Sequence, residues 1–152
     1  MTTNAEWLAD AQQDYPGWWS LIEQLDAQLN YLMPEGYSIL QIKEKFGALR
    51  FYWMGPVDDA GDSKLSEMQH TIAEICVRDA ERTSEITCDA CGKWAELRDD
   101  LGWICTLCTN HYQEKLDNIT LPELSCERCG EPAIIKTVWN ELVCLTCHSN
   151  SN

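Results

Sequence analysis

Eight of the nine cysteines stand in four CxxC pairs, Cys88/Cys91, Cys105/Cys108, Cys126/Cys129 and Cys144/Cys147, all within residues 88–147 of a 152-residue chain. A CxxC turn aims two sulfurs at one point. A second pair, with 13 or 14 residues between, can return by a hairpin and complete a tetrahedral site. The spacing predicts two structural zinc ions, each folding a ribbon too small to hold a core of its own. The two knuckles form a weak internal repeat, Cys88-Asp89-Ala90-Cys91-Gly92 against Cys126-Glu127-Arg128-Cys129-Gly130.

Nine cysteines in a secreted chain would suggest disulfides. The amino-terminal MTTNAEWLADAQQ lacks the basic, apolar and small-residue succession of a secretory leader, so cytoplasmic thiolates are expected instead. No run of 18 apolar residues occurs, which excludes a helical membrane span on length. Acids outnumber bases by 25 to 11, and the formal net charge is -14. Counterion release drives most nucleic-acid binding, and such a surface opposes it over most of its area. The expected partner is a host or cellular protein with a basic surface, nucleic acid coming second. No small-molecule substrate is evident.

The segments before the first knuckle read as an α+β core, residues 1–86: helix, helix, β-hairpin, helix. Thr3 and Glu6 have capping-box spacing, which places a first helix over about 4–13. Ile22, Leu25, Leu29 and Leu32 make the stripe of a second helix over 18–33. Tyr37–Ile42 and Leu49–Met54 read as strands of a hairpin over about 37–54, joined by a turn from Lys43 to Gly47. A polar loop then leads to a third helix over about 64–82. Its expected cap is Ser63 and its expected buried stripe Leu65, Met68, Ile72 and Ile75. Two tandem zinc-ribbon modules follow, residues 87–117 and 118–152. In the first, Trp94–Arg98 is expected to pair with Gly102–Cys105; in the second, Ala133–Val138 with Leu142–Cys144 around Trp139-Asn140-Glu141. With no flexible linker after the third helix, the modules are expected to be held against the core. Chelation is expected to unfold the carboxy-terminal part and leave the core at least partly intact.

Three segments, Pro16-Gly17-Trp18-Trp19, QIKEKFGALRFY at 41–52, and TCDACG at 87–92 with GWICTLCTNH at 102–111, together resemble a family of small, uncharacterised zinc-binding proteins of phages and bacteria. The resemblance covers residues 16–112 and implies no catalytic activity. Its GWxxTLCxxH pattern implies Cys108 and His111 as the second ligand pair of the first site, leaving Cys105 at a variable position. The internal repeat supports Cys105 instead, because Cys105/Cys108 matches Cys144/Cys147 in spacing. Cys88, Cys91 and Cys108 serve either way, as do Cys126, Cys129, Cys144 and Cys147 in the second site, with His148 a weaker substitute there.

A catalytic zinc needs three protein ligands, an open position and a nearby base. Four-ligand sites offer no opening, so non-enzymatic function is expected. Cys76 and His70 lie six residues apart on one helix, on different faces. Cys76 therefore reads as a core cysteine. Two features remain as partner-binding candidates. Lys43, Lys45 and Arg50 gather basic charge among Phe46, Phe51 and Tyr52, a combination that grips phosphates and stacks bases, or that merely keeps a hairpin soluble. Trp139 falls at the expected tip of the second ribbon, where an exposed aromatic makes a hot spot. Trp7, Trp18 and Trp53 are expected on buried faces, and Trp94 and Trp103 opposite each other on the first ribbon. The function expected is an acidic interaction module, in its most concrete form a phage-encoded inhibitor or modulator of host nucleic-acid-handling machinery. The alternative is a nucleic-acid-binding ribbon protein.

Overall fold

A computed structural model describes residues 2–118, 126–131, 135–136, 142–144, 147 and 149. The chain forms two compact units, Met1–Leu116 and Asp117–Asn152. Among the described residues, the elements are α1 (Asn4–Asp14), α2 (Trp19–Leu32), β1 (Ser38–Lys45), β2 (Ala48–Met54), α3 (Glu67–Ser84), β3 (Glu96–Arg98), β4 (Cys105–Leu107), α4 (Thr109–Asn118), β5 (Ile135–Lys136) and β6 (Leu142–Val143). The fold is α+β, and the sheets among the described residues are antiparallel pairs, β1-β2, β3-β4 and β5-β6. No helix among the described residues is long and apolar enough to cross a membrane.

Local chemistry sets the helix starts. Thr3 and Glu6 close the capping box of α1: the Glu6 N–H donates to Thr3 Oγ1 at 3.3 Å, and the Thr3 N–H donates to Glu6 Oε2 at 2.6 Å. In α3 the cap is Ser66, three residues beyond the expected Ser63, because Gln69 completes a second capping box there. The Gln69 amide also donates to the Leu32 carbonyl at 3.1 Å, satisfying an orphan acceptor at the end of α2.

The core of the first unit gathers Trp18, Ile22, Leu25, Leu29 and Met33 from α2 and its flanks, Ile39, Ile42, Leu49 and Phe51 from the hairpin, and Ala73, Val77 and Ala80 from α3. The α3 face corrects the sequence expectation. Met68, Ile72 and Ile75 are exposed, and the helix packs through small side chains instead. Contact with both α2 and β2 requires a close approach, which alanines permit and isoleucines do not. Leu65 and Cys76 are half-buried against the core, as are Trp7 and Trp53, while Trp18 is completely buried.

The hairpin turn is tighter than the segment 43–47. Pairing continues to Lys45↔Ala48, so Phe46 and Gly47 alone make the reversal, with φ of 54° and 78°. Two successive positive values are the mark of a type I′ turn, whose twist suits an antiparallel pair. Side chains from α1, its C-cap and α3 accept from outward amides of both strands. Asn4 Oδ1 accepts from Ile39 N at 2.7 Å and the Tyr15 hydroxyl from Glu44 N at 3.1 Å. On the other strand, Ser84 Oγ accepts from Leu49 N at 2.8 Å and Glu81 Oε1 from Phe51 N at 3.0 Å.

The first ribbon is displaced from its expected register. Glu96–Arg98 pairs with Cys105–Leu107, and 99–104 form the loop between them. Trp94 and Trp103 are both exposed, and both lie outside the paired strands rather than opposite each other on them. In the second unit, Ile135 pairs with Val143 and Lys136 with Leu142, within the expected strands. Trp139 and His148 lie outside the described residues.

Candidate metal centres

The first knuckle leaves α3 directly. Its turn is closed by Cys88 N–H donating to the Lys93 carbonyl at 2.8 Å and Gly92 N–H donating to the Cys88 carbonyl at 2.9 Å. The second knuckle repeats this pattern, Cys126 N–H to Glu131 O at 2.7 Å and Gly130 N–H to Cys126 O at 2.8 Å. Two identical backbone turns thus present Cys88 with Cys91 and Cys126 with Cys129.

The opposing ligands come from the end of a strand. β4 stops at Leu107, Cys108 follows, and α4 begins at Thr109, so Cys108 occupies the helix cap and His111 the first turn. The Cys88, Cys91 and Cys108 sulfurs and a His111 ring nitrogen lie within 4.8 Å of one another, and so do the four sulfurs of Cys126, Cys129, Cys144 and Cys147. Four zinc–sulfur bonds of about 2.3 Å would set sulfur–sulfur edges of about 3.8 Å. The Cys91–Cys108 separation is 3.8 Å and Cys129–Cys144 is 3.6 Å. His111 Nδ1 stands 3.3 Å from Cys108 Sγ and 3.5 Å from Cys88 Sγ. Nδ1 therefore faces the sulfurs, while Nε2 stands 3.9 Å from Glu114 Oε2. Both groups could hold a metal ion, and both donor sets suit zinc.

Cys105 is not in the cluster. It sits buried in β4 opposite Arg98, where burial first and then Asp89 raise its thiol above the ordinary value and favour the neutral form. In contrast, the His111 backbone N–H is the main influence drawing the Cys108 thiol down to about 6. The Cys147 N–H acts in the same way on Cys144, donating to its sulfur at 3.5 Å and lowering its thiol. These parallels show why the sequence repeat was ambiguous. Cys105/Cys108 and Cys108/His111 have the same three-residue step, and the structural counterpart of Cys144/Cys147 is the second of them. The His111→Ala variant should release metal from the first centre, whereas Cys105→Ser should retain it. Metal content after dialysis against a weak chelator checks this, and retention by His111→Ala with loss from Cys105→Ser would reverse the assignment.

The first centre is also fastened to the core. Gly17 N–H donates to the Asp89 carbonyl at 2.6 Å, Trp18 Nε1 donates to the Thr87 carbonyl at 2.7 Å, and the Thr106 hydroxyl donates to the Gly47 carbonyl. A β-carbon on Gly17 would lie 2.0 Å from the Cys88 carbonyl oxygen, so only glycine fits beneath the knuckle. Gly17, Gly47 and Thr106 are positioning residues that reasoning from cysteine spacing overlooks. The quoted segments Pro16–Trp19, 41–52, 87–92 and 102–111 converge here, their common meeting point being the first centre.

The remaining candidates are spread over the first unit. Lys43 Nζ lies 5.1 Å from the Tyr52 ring centroid and Lys45 Nζ 5.4 Å from that of Phe46. Arg50 is drawn away from them, donating to the Leu49 carbonyl at 2.8 Å and standing 3.9 Å from Glu81. The basic group is thus two lysines over exposed aromatics rather than three free cations. Comparison with protein-family models, curated proteins and solved structures finds no match to this chain.

Proposed function

We propose that the chain is a non-enzymatic, acidic protein-interaction module stabilised by two structural zinc ions, the two centres forming zinc-ribbon modules in tandem. The observation that carries this reading is the completeness of both donor sets. Four side chains meet at each point, so a tetrahedral ion held there has no position left for water or substrate. Cys88, Cys91, Cys108 and His111 would hold one ion, and Cys126, Cys129, Cys144 and Cys147 the other. Zinc supplies folding energy at such sites and no reaction.

The net charge of -14 supports a partner with a basic surface. A protein of the nucleic-acid-handling machinery is the natural kind, and an inhibitor or modulator encoded by a phage is the concrete form, in keeping with the family resemblance. One observation favours a second reading: Lys43 and Lys45 lie over the exposed Tyr52 and Phe46, an arrangement suited to phosphates and stacked bases.

One experiment separates the two. Photo-crosslinking capture in host cells, followed by reconstitution from purified components, should yield a basic protein that stays bound after nuclease treatment. Its affinity should fall with salt and survive Lys43→Glu with Lys45→Glu. Capture that disappears with nuclease, or direct binding of purified nucleic acid lost in that double variant, would favour the second reading and overturn the first.

A further inference from the structure

Away from the metal centres, the first unit carries two adjoining surface cavities that share Trp53 and Glu74. One, of about 270 Å³, lies between β2 and α3 and is lined also by Tyr52, Val77 and Arg78. The other, of about 240 Å³, is enclosed by Trp53, His70 and the loop at 55–65. Each falls short of the roughly 300–1,000 Å³ of a small-molecule pocket and suits a single long side chain.

The second cavity is built before any ligand arrives. Its loop is tied by a Val57↔Ser63 bridge, by Lys64 N–H to Pro56 O at 2.9 Å, and by Asp58 Oδ1 accepting from Ala60 and Asp62 N–H, both at 2.9 Å. The half-buried Trp53 ring forms the wall between the cavities, with the His70 ring centroid 5.6 Å from its own. The Glu74 side chain is half-buried and makes no hydrogen bond or ion pair among the described residues. Asp58, Asp59 and Asp62 ride on the loop, while its single cation, Lys64, is held by Glu35 at 3.2 Å. The cavity therefore offers an aromatic face and an unmatched carboxylate, next to an acidic loop.

We propose that this site seats an arginine side chain presented by a basic segment of a partner protein, the guanidinium lying against Trp53 and paired with Glu74. The proposal rests on the interaction reading above and specifies its contact. Tryptophan is the strongest aromatic partner for a cation, and a planar guanidinium can stack on the ring while directing its fork to a carboxylate. Glu74 lines both cavities beside Trp53, so a ligand cation is favoured there beyond the pull of the general acidic surface. Arg78 and Glu81 both line the other cavity, whereas no cation lines the one beside the loop, which places the charged end of the occupant there.

Titration calorimetry of the full zinc-loaded chain with a capped arginine peptide tests the site, a citrulline peptide of the same sequence serving as the uncharged control. Glu74→Gln should weaken binding about tenfold and Trp53→Phe about threefold, while Asp59→Asn, which removes one charge from the loop outside the cavity lining, should change it less than about twofold. Arg78→Ala should tighten binding, and citrulline should remove it. Equal losses in Glu74→Gln and Asp59→Asn, or equal binding of both peptides, would show a diffuse acidic field and overturn the site. Undiminished capture of the cellular partner by Glu74→Gln would count against this site alone. Failure of every form to capture a basic protein, with the peptide results intact, would count against the interaction reading alone.

Discussion

Chelating the metal should unfold the amino-terminal core together with the first knuckle. A modular chain would lose only its ribbons, leaving residues 1–86 folded. The contacts argue otherwise, because Met1–Leu116 is one compact unit in which Gly17, Trp18 and Gly47 bond directly to the knuckle and β4. Zinc binding in small finger peptides is worth about 10–16 kcal/mol, which matches or exceeds the roughly 5–15 kcal/mol stability of an ordinary domain. Withdrawing it should exhaust what the core can supply. Hydrogen exchange at the buried Leu25 and Phe51 provides the measurement: their amides should lose protection with chelator and in Cys108→Ser, but keep it in Cys144→Ser, whose centre lies in the second unit. Protection that persisted after chelation would show a core independent of the metal.

Gly17→Ala should be the most damaging single methyl group in the chain. The added carbon would stand 2.0 Å from Cys88 O and 2.6 Å from both Asp89 C and Cys91 N. All three are backbone atoms of the ligand-bearing turn, so no side chain can swing aside. Relief requires separating α2 from the knuckle, which breaks the Gly17–Asp89 and Trp18–Thr87 hydrogen bonds as well. Such overpacking costs on the order of 3 kcal/mol. The variant should therefore melt at least about 6 °C lower at saturating zinc and bind the first ion more weakly. A midpoint within about 2 °C of the unmodified chain would refute the close contact.

How far the sequence disclosed this arrangement depended on the range of the interaction. Features written in adjacent residues were legible: the Thr3/Glu6 cap, the α2 stripe of Ile22, Leu25 and Leu29, the hairpin, and both knuckles. Where two local signals competed, the outcome turned on a few atoms. Ser63 and Ser66 both suit a cap, and Gln69 decides for Ser66. Cys105 and His111 both complete a four-ligand spacing, and the capping of α4 by Cys108 brings His111 alone to the sulfurs. The α3 face was misread because periodicity weighs large apolar residues, whereas packing at short range selects Ala73 and Ala80 and leaves Met68, Ile72 and Ile75 outside. Contacts between distant segments had no local signature. Nothing in the spacing of cysteines says that Gly17 lies beneath them, or that Trp53 and Glu74 share two cavities.

The hairpin carries a last consequence for how the molecule meets others. Two strands make an open ribbon, and an open ribbon ordinarily invites a third strand along either side, from a partner or from another copy of itself. Here Asn4 and Tyr15 occupy donors of β1, and Glu81 and Ser84 occupy donors of β2, so an incoming backbone would have to displace bonds already made. The ribbon is thereby protected from amyloid-like stacking, and recognition by strand addition is discouraged. If the chain acts as the proposed interaction module, specificity would come from side chains projecting off the ribbon and its helices, where a single substitution could change the partner without disturbing the scaffold.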